Sequence, residues 1–231
     1  MIFPSLDRVK AIAPGYDIVP VYMEILSDVR TPISVLKALK QVSSHTYLLE
    51  SADNSNHWGR YSFLGYDPKI ELFCKNHTMT IKDGTTRTFE CSDPAAEIRN
   101  ILSQYKSPRL EELPTFTGGF VGYFACEYIR YIEPTLDFPT PDDDSAMVND
   151  VDLMLFDKVI AFDHYKNKIY LIANISTNDL ERNYNKAELE LKALADLVVN
   201  GKEADVPKGI LKTEFTSEFT KDEFEAVVKK T

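Results

Sequence analysis

Leu48-Leu49-Glu50-Ser51, followed nine residues later by Arg60, is the one short constellation in this chain whose residue types could do binding chemistry. An aromatic and aliphatic run from Tyr47 to Leu49 stops abruptly in a carboxylate and a hydroxyl, and Arg60-Tyr61-Ser62-Phe63-Leu64-Gly65 opens a second apolar run. A free amino acid needs an acceptor for its ammonium, donors for its carboxylate and apolar walls for its side chain. Glu50, Ser51, Arg60 and Leu49, with the neighbouring Leu and Tyr residues, could supply that set. Glu50 and Ser51 point to opposite faces of an extended strand, so they share a ligand only where the strand twists into the loop that follows. On residue types alone a second reading stands beside this one: a capped strand end with a structural Glu50–Arg60 pair, since buried polar groups usually serve the fold.

The elements that must hold these residues are legible on both sides. Thr31-Pro32 is an N-cap followed by proline at the first helical position, and Ile33, Leu36 and Leu39 continue at helical spacing, predicting a helix to about Val42. Its apolar stripe is expected to pack on the sheet that contains the Leu48 strand. Residues 70–74, 79–81 and 86–89 form short runs around Asp83-Gly84, a hairpin signal within an antiparallel meander. Asp93-Pro94 repeats the cap-and-proline signature, with Ile98, Ile101, Leu102 and Tyr105 as the stripe of a second helix. Gly118, Gly119 and Gly122 bracket a strand in which backbone approaches backbone; a phosphate loop is excluded because no Lys-Ser/Thr follows.

Further on, the runs 153–162 and 168–175 are apolar without alternation, as in strands covered on both faces, and they flank a polar turn at 164–167. Asn178 or Asp179 caps a long helix striped by Leu180, Tyr184, Leu191, Leu194 and Val198, ending near Gly201. Residues 202–213 read as a polar linker. After it, Thr220-Lys221-Asp222-Glu223 is a capping box with Phe219 and Phe224 at staple positions, so a helix is started with care. Its stripe of Phe224, Val227 and Val228 is too short to hold without a partner surface.

Composition narrows the classes. With 231 residues, 44% of them hydrophobic, the chain can bury a sizeable core. The net charge of -10 disfavours electrostatic attachment to nucleic acid or anionic lipid. Cys74, Cys91 and Cys126 are widely separated and lack metal-ligand spacing, so they read as free thiols of a reducing compartment. No stretch approaches the ~20 apolar residues of a membrane span, and the first ten residues hold no signal-peptide core, so the cytoplasm is expected. Asp142-Asp143-Asp144 lacks the flanking ligands of a cation loop and reads as a solvated turn. His45, His57, His77 and His164 are scattered and are assigned structural roles.

Taken in order, these segments resemble the N-terminal half of the anthranilate synthase component I family, the chorismate-using large subunits of tryptophan biosynthesis. The resemblance is carried by Thr31-Pro32, by Leu48-Leu49-Glu50-Ser51, by Gly59-Arg60-Tyr61-Ser62-Phe63-Leu64-Gly65, by Gly118-Gly119-Phe120-Val121-Gly122-Tyr123 and by Arg130-Tyr131-Ile132-Glu133. It implies an α+β fold of mostly antiparallel sheets in a sandwich flanked by helices, part of a four-layer αββα assembly. Residues 1–213 would be the regulatory domain, and 214–231 the start of the chorismate-binding catalytic domain.

By the same resemblance Ser51 contacts L-tryptophan, the feedback inhibitor, with Glu50 next and Leu49 and Arg60 as neighbours. The whole enzyme would convert chorismate and ammonia to anthranilate and pyruvate, drawing ammonia from glutamine through an amidotransferase subunit. The magnesium and chorismate sites of the family lie downstream, so no catalytic residue and no Mg2+ ligand is assigned to this chain, which is expected to be inactive alone. Two alternatives stay open: aminodeoxychorismate synthase component I, and a stand-alone amino-acid-binding module without catalysis.

Overall fold

The fold divides its strands between two five-stranded sheets, each with its own core. It is seen in a computed structural model that describes residues 1–28, 30–51, 59–133, 135, 148–205, 209–214 and 216–230. The Ala52–Asn56 loop, His57 and the Asp142-Asp143-Asp144 triplet considered above lie outside the described residues. The elements in chain order are α1 (Leu6–Ile12), β1 (Ile18–Leu26), α2 (Pro32–Leu39), β2 (Thr46–Leu49), β3 (Tyr61–Tyr66), β4 (Ile70–Lys75), β5 (Thr78–Lys82), β6 (Thr86–Glu90), α3 (Pro94–Leu102), β7 (Gly119–Phe124), a 3-10 turn (Cys126–Tyr128) running into α4 (Ile129–Ile132), β8 (Val151–Phe156), β9 (Lys158–Asp163), β10 (Lys168–Ser176), α5 (Leu180–Asn200) and α6 (Lys221–Lys230).

The first sheet has the order β1-β10-β9-β3-β2 and the second β6-β5-β4-β8-β7, and every pairing is antiparallel. The α+β class with antiparallel sheets flanked by helices is therefore what the chain adopts. Helices α1, α2 and α5 cover one face of the first sheet, where Val9, Val35, Leu39, Leu64, Ile160, Phe162, Leu171 and Leu191 close a single core. The opposite face is sealed by the segment carrying Leu110, Leu113 and Phe116 against Val159, Ala161, Tyr170 and Ile172. Strands β9 and β10 are thus buried on both sides, which explains why their sequence lacks alternation. The second sheet packs Ile70, Leu72, Cys74, Met79, Val151, Leu153 and Leu155 under α3.

Local chemistry accounts for the helix starts. The Thr31 hydroxyl accepts from the Ser34 N–H at 3.2 Å while the Ser34 hydroxyl faces the Thr31 N–H at 3.1 Å, and the Asp93 carboxylate accepts from the Ala96 N–H at 2.9 Å. The capping box before α6 also forms, with Glu223 accepting from the Thr220 N–H at 2.8 Å. Every described residue of α6 is exposed, Phe224 included, and so is Phe219 just before it. Gly122 runs so close to β8 that a Cβ there would meet the Asp152 carbonyl, the close approach that the glycines foretold.

Four readings are corrected. The apolar run 153–162 is two strands: it breaks at Asp157, passing from β8 in the second sheet to β9 in the first. Helix α2 ends at Leu39 and turns Val35, Ala38 and Leu39 inward, leaving Ile33 exposed. Helix α3 stops at Leu102, itself exposed, and Tyr105 packs on the second core from beyond the helix. Helix α1 and strand β1 were not anticipated. Pro20 obscures β1, but β1 is an edge strand of the first sheet, where a residue without an N–H is tolerated.

Candidate functional site

Strand β2 lies at an edge of the first sheet and ends at Leu49, so Glu50 and Ser51 emerge where sheet pairing stops. The register pairs Leu48 with Leu64 and Leu49 with Phe63, which sets alternate residues of β2 on opposite faces. Leu48 packs into the helix-covered core. Leu49 belongs to the other face and remains 47% exposed, next to Phe63, whose ring meets Phe116 edge-on at 5.4 Å. Glu50 and Ser51 are both exposed. An exposed carboxylate and an exposed hydroxyl thus follow Leu49 where the strand ends, with Glu50 on the Leu48 face and Leu49 on the other.

The carboxylate is not paired with Arg60, as the structural alternative supposed. Arg60 donates from Nε to Asp163 Oδ1 at 3.0 Å and from Nη2 to Oδ2 at 2.7 Å, a two-pronged contact across 103 residues of sequence. Asp163 is fully buried and also accepts from the N–H groups of Tyr165 and Lys166, at 3.1 and 3.0 Å. Burial alone would raise its carboxyl; the Arg60 hydrogen bonds, the Arg60 charge and the two backbone donors outweigh it, and the group is held below the usual carboxylate range. The guanidinium rests between the rings of Tyr61 and Tyr165, 4.8 and 5.6 Å from their centroids. The backbone closes the same corner, since the His164 N–H donates to the Arg60 carbonyl at 2.9 Å.

Glu50 instead meets Ser62, whose hydroxyl lies 3.4 Å from Glu50 Oε1 and 2.7 Å from His164 Nε2. Ser62 is 1% exposed, held between β2 and the end of β9. The structure links Glu50 to Ser62 and His164, and Arg60 to Asp163, with Leu49 on the opposite face of β2 from Leu48; Ser62, Asp163 and His164 are residues that the sequence reading passed over. Asp163 was the available signal, an acidic residue ending an otherwise apolar run. Among the described residues no group of three or more His, Cys, Asp and Glu side chains converges as a metal would need. Among them, too, no helix is long and apolar enough to cross a membrane.

The comparisons with known proteins follow the same line. The chain is similar to anthranilate synthase component 1 of Acetivibrio thermocellus, 36% identical over 197 residues covering 84% of this chain and 39% of the relative. It is 39% identical over 189 residues to that of Acinetobacter calcoaceticus, covering 80% of this chain and 37% of the relative. With that of Aquifex aeolicus it shares 32% over 237 residues, covering 98% of this chain and 46% of the relative. The chain thus spans less than half the length of these relatives. A crystal structure of anthranilate synthase component I from Streptococcus pneumoniae TIGR4 matches with a TM-score of 0.43 at 26% identity, over 73% of this chain and 36% of that one. A family model described as chorismate binding enzyme matches residues 45–231, a span that includes β2 and the Glu50 and Ser51 that follow it, and by that match the chain belongs to the chorismate binding enzyme family.

Proposed function

We propose that this chain is the N-terminal, inhibitor-sensing part of an anthranilate synthase component I, acting in tryptophan biosynthesis in the cytoplasm. The observation that supports it is the strand end itself. Glu50 and Ser51 stand exposed beside Leu49, while the cation next to them, Arg60, is already neutralised by Asp163. Among the described residues no Lys or Arg side chain pairs with the exposed Glu50 carboxylate, which suits a ligand ammonium; Ser51 offers a hydroxyl, and Leu49 offers exposed apolar surface at the strand end. Arg60 ties the start of β3 to the end of β9 and would meet the ligand only through donors that Asp163 leaves over.

The whole protein would convert chorismate and ammonia to anthranilate and pyruvate, with ammonia delivered from glutamine by an amidotransferase partner subunit. Mg2+ would supply charge neutralisation for chorismate, at residues outside this chain. In this reading residues 1–213 form the regulatory domain, and 214–231 enter the catalytic one. L-tryptophan acts by binding one arrangement of the domains better than another, a coupling of ~1–3 kcal/mol. An aminodeoxychorismate synthase component I remains the second reading; it shares a comparable tryptophan element, and product analysis separates the two.

The test is Ser51→Phe in the complete gene product. Calorimetry with L-tryptophan and inhibition of anthranilate formation should both fail in the variant, while chorismate turnover without inhibitor persists. Unchanged tryptophan affinity and inhibition would overturn the proposal.

A further inference from the structure

We propose that Ser62 and His164 are positioning residues for Glu50, forming a hydrogen-bond relay that sets whether the Glu50 carboxylate is held for the ammonium of an amino-acid ligand. This rests on the amino-acid site proposed above. A buried serine hydroxyl has one proton to give and two lone pairs to receive with. Here it faces a carboxylate oxygen, which accepts, and an imidazole nitrogen, which accepts or donates according to its tautomer. His164 Nε2 is 2.7 Å away, and Glu50 Oε1 is 3.4 Å away.

When Nε2 is the unprotonated nitrogen, the hydroxyl proton goes to it along the shorter contact, and Glu50 is left with the serine oxygen facing it. When Nε2 carries the proton, the imidazole donates, Ser62 accepts, and the hydroxyl proton is released to Glu50. The relay therefore has two states that differ by one imidazole tautomer. Only the second anchors the carboxylate.

Geometry keeps the three groups in line. Leu48 pairs with Leu64 in the antiparallel β2–β3 register, and the same register extended by two residues sets Glu50 opposite Ser62. Ser62 pairs in turn with Phe162 on β9, and the His164 ring lies stacked 6.4 Å from the Phe162 ring. His164 cannot drift, because its N–H is bonded to the Arg60 carbonyl and its neighbour Asp163 is clamped by Arg60. The Arg60–Asp163 pair thus serves the relay as well as the fold. At 1% exposure, water cannot substitute readily for either partner of the Ser62 hydroxyl.

The decisive experiment compares L-tryptophan affinity by calorimetry in the complete gene product for Ser62→Ala, Ser62→Thr, His164→Phe, His164→Gln and Glu50→Gln, with thermal melts alongside. Removing the hydroxyl should weaken binding about five- to tenfold, the size expected for loss of a hydrogen bond that orients a charged group, whereas His164→Phe removes the acceptor that competes for the Ser62 proton and should stay within about threefold of wild type. Ser62→Thr keeps the hydroxyl and His164→Gln keeps an amide donor at that position, so each should restore affinity to within about threefold of wild type. That rescue is what a purely structural role would not produce.

If Ser62→Thr and His164→Gln lose as much affinity as Ser62→Ala with melting unchanged, the relay is overturned. If Ser62→Ala binds normally while Glu50→Gln does not, the relay is overturned and the amino-acid site stands. If Glu50→Gln also binds normally, the site assignment itself falls. Long-range 1H–15N spectra of His164 give a readout without ligand. Ser62→Ala should redistribute its two tautomers, and an unchanged pattern would count against the relay.

Discussion

An aspartate stands at each end of β9, Asp163 fully buried and Asp157, just before the strand, half-buried, and they are treated in opposite ways. Asp163, at the candidate site, meets a two-pronged arginine and two backbone N–H groups, and its carboxyl is held below the ordinary value. Asp157, where the chain crosses between sheets, has no arginine; burial pushes its carboxyl up, and the charges of Lys158 and Lys69 only partly offset this. It lines a cavity of about 230 Å³ with those lysines, Asn174, Asn183 and Lys186. Burial alone penalises a charge, and only dedicated donors reverse the sign. At the site end an arginine and two backbone donors reverse the sign, while at the junction end the two lysine charges and one backbone hydrogen bond do not, so the site end is the one built to stay fixed.

The largest way to break this contrast is Asp163→Ala. It leaves the Arg60 charge and two backbone N–H groups without their acceptor, and urea unfolding should show a loss of about 3 kcal/mol or more. The pH dependence has a definite sign. Because the folded carboxyl titrates below its unfolded value, its stabilisation is complete above the unfolded pKa and is lost as pH falls through the folded one. Wild-type stability should thus decline below the ordinary carboxylate range with a slope that Asp163→Ala partly removes. A loss under about 1 kcal/mol would mean that solvent replaces the carboxylate at little cost, and that the corner is not an anchor.

How much of this was readable beforehand follows the range of each interaction. Caps and turns announce themselves within four residues: Thr31 with Ser34, Asp93 with Ala96, Thr220 with Glu223, and the turn at Asp83-Gly84 between β5 and β6. The stripe of α5 was equally plain, since Tyr184, Leu191, Leu194 and Val198 recur at helical spacing and are all buried. The Arg60–Asp163 and Ser62–His164 contacts span more than a hundred residues, and no local pattern encodes them. Glu50 and Ser51 could be singled out as types but not given partners. The break at Asp157 left one trace, a single acid in an apolar run, and two runs that join end to end look like one long strand.

Asp157→Asn probes the other end and should act in the opposite direction, with a smaller effect. A folded carboxyl that titrates above its unfolded value binds its proton more tightly when folded, so stability falls as pH rises from the unfolded pKa through the folded one. Above the folded pKa that cost is present in full, and asparagine does not incur it. The variant should therefore gain stability, by under about 1 kcal/mol, and the gain should vanish in acid where both forms are neutral. The carbonyl of residue 157, which accepts from Asn174, is untouched by the change. A clear loss at neutral pH would mean that the lysines bind this carboxylate as effectively as Arg60 binds Asp163.

The smallest effect on stability is expected at Glu50, between the sheet and open solvent. Its carboxylate is exposed and its contact with Ser62 is long at 3.4 Å, and glutamine keeps an acceptor in the same place. Urea curves of Glu50→Gln should fall within about 0.5 kcal/mol of wild type, with an unchanged slope. A loss above about 1 kcal/mol would make Glu50 a structural partner of Ser62 and bring it into the same class as Asp163. The expected indifference carries information of its own. A carboxylate that the fold places beside a buried hydroxyl, yet does not use for stability, keeps its charge available for a ligand, whereas Asp163 has already spent its charge on Arg60.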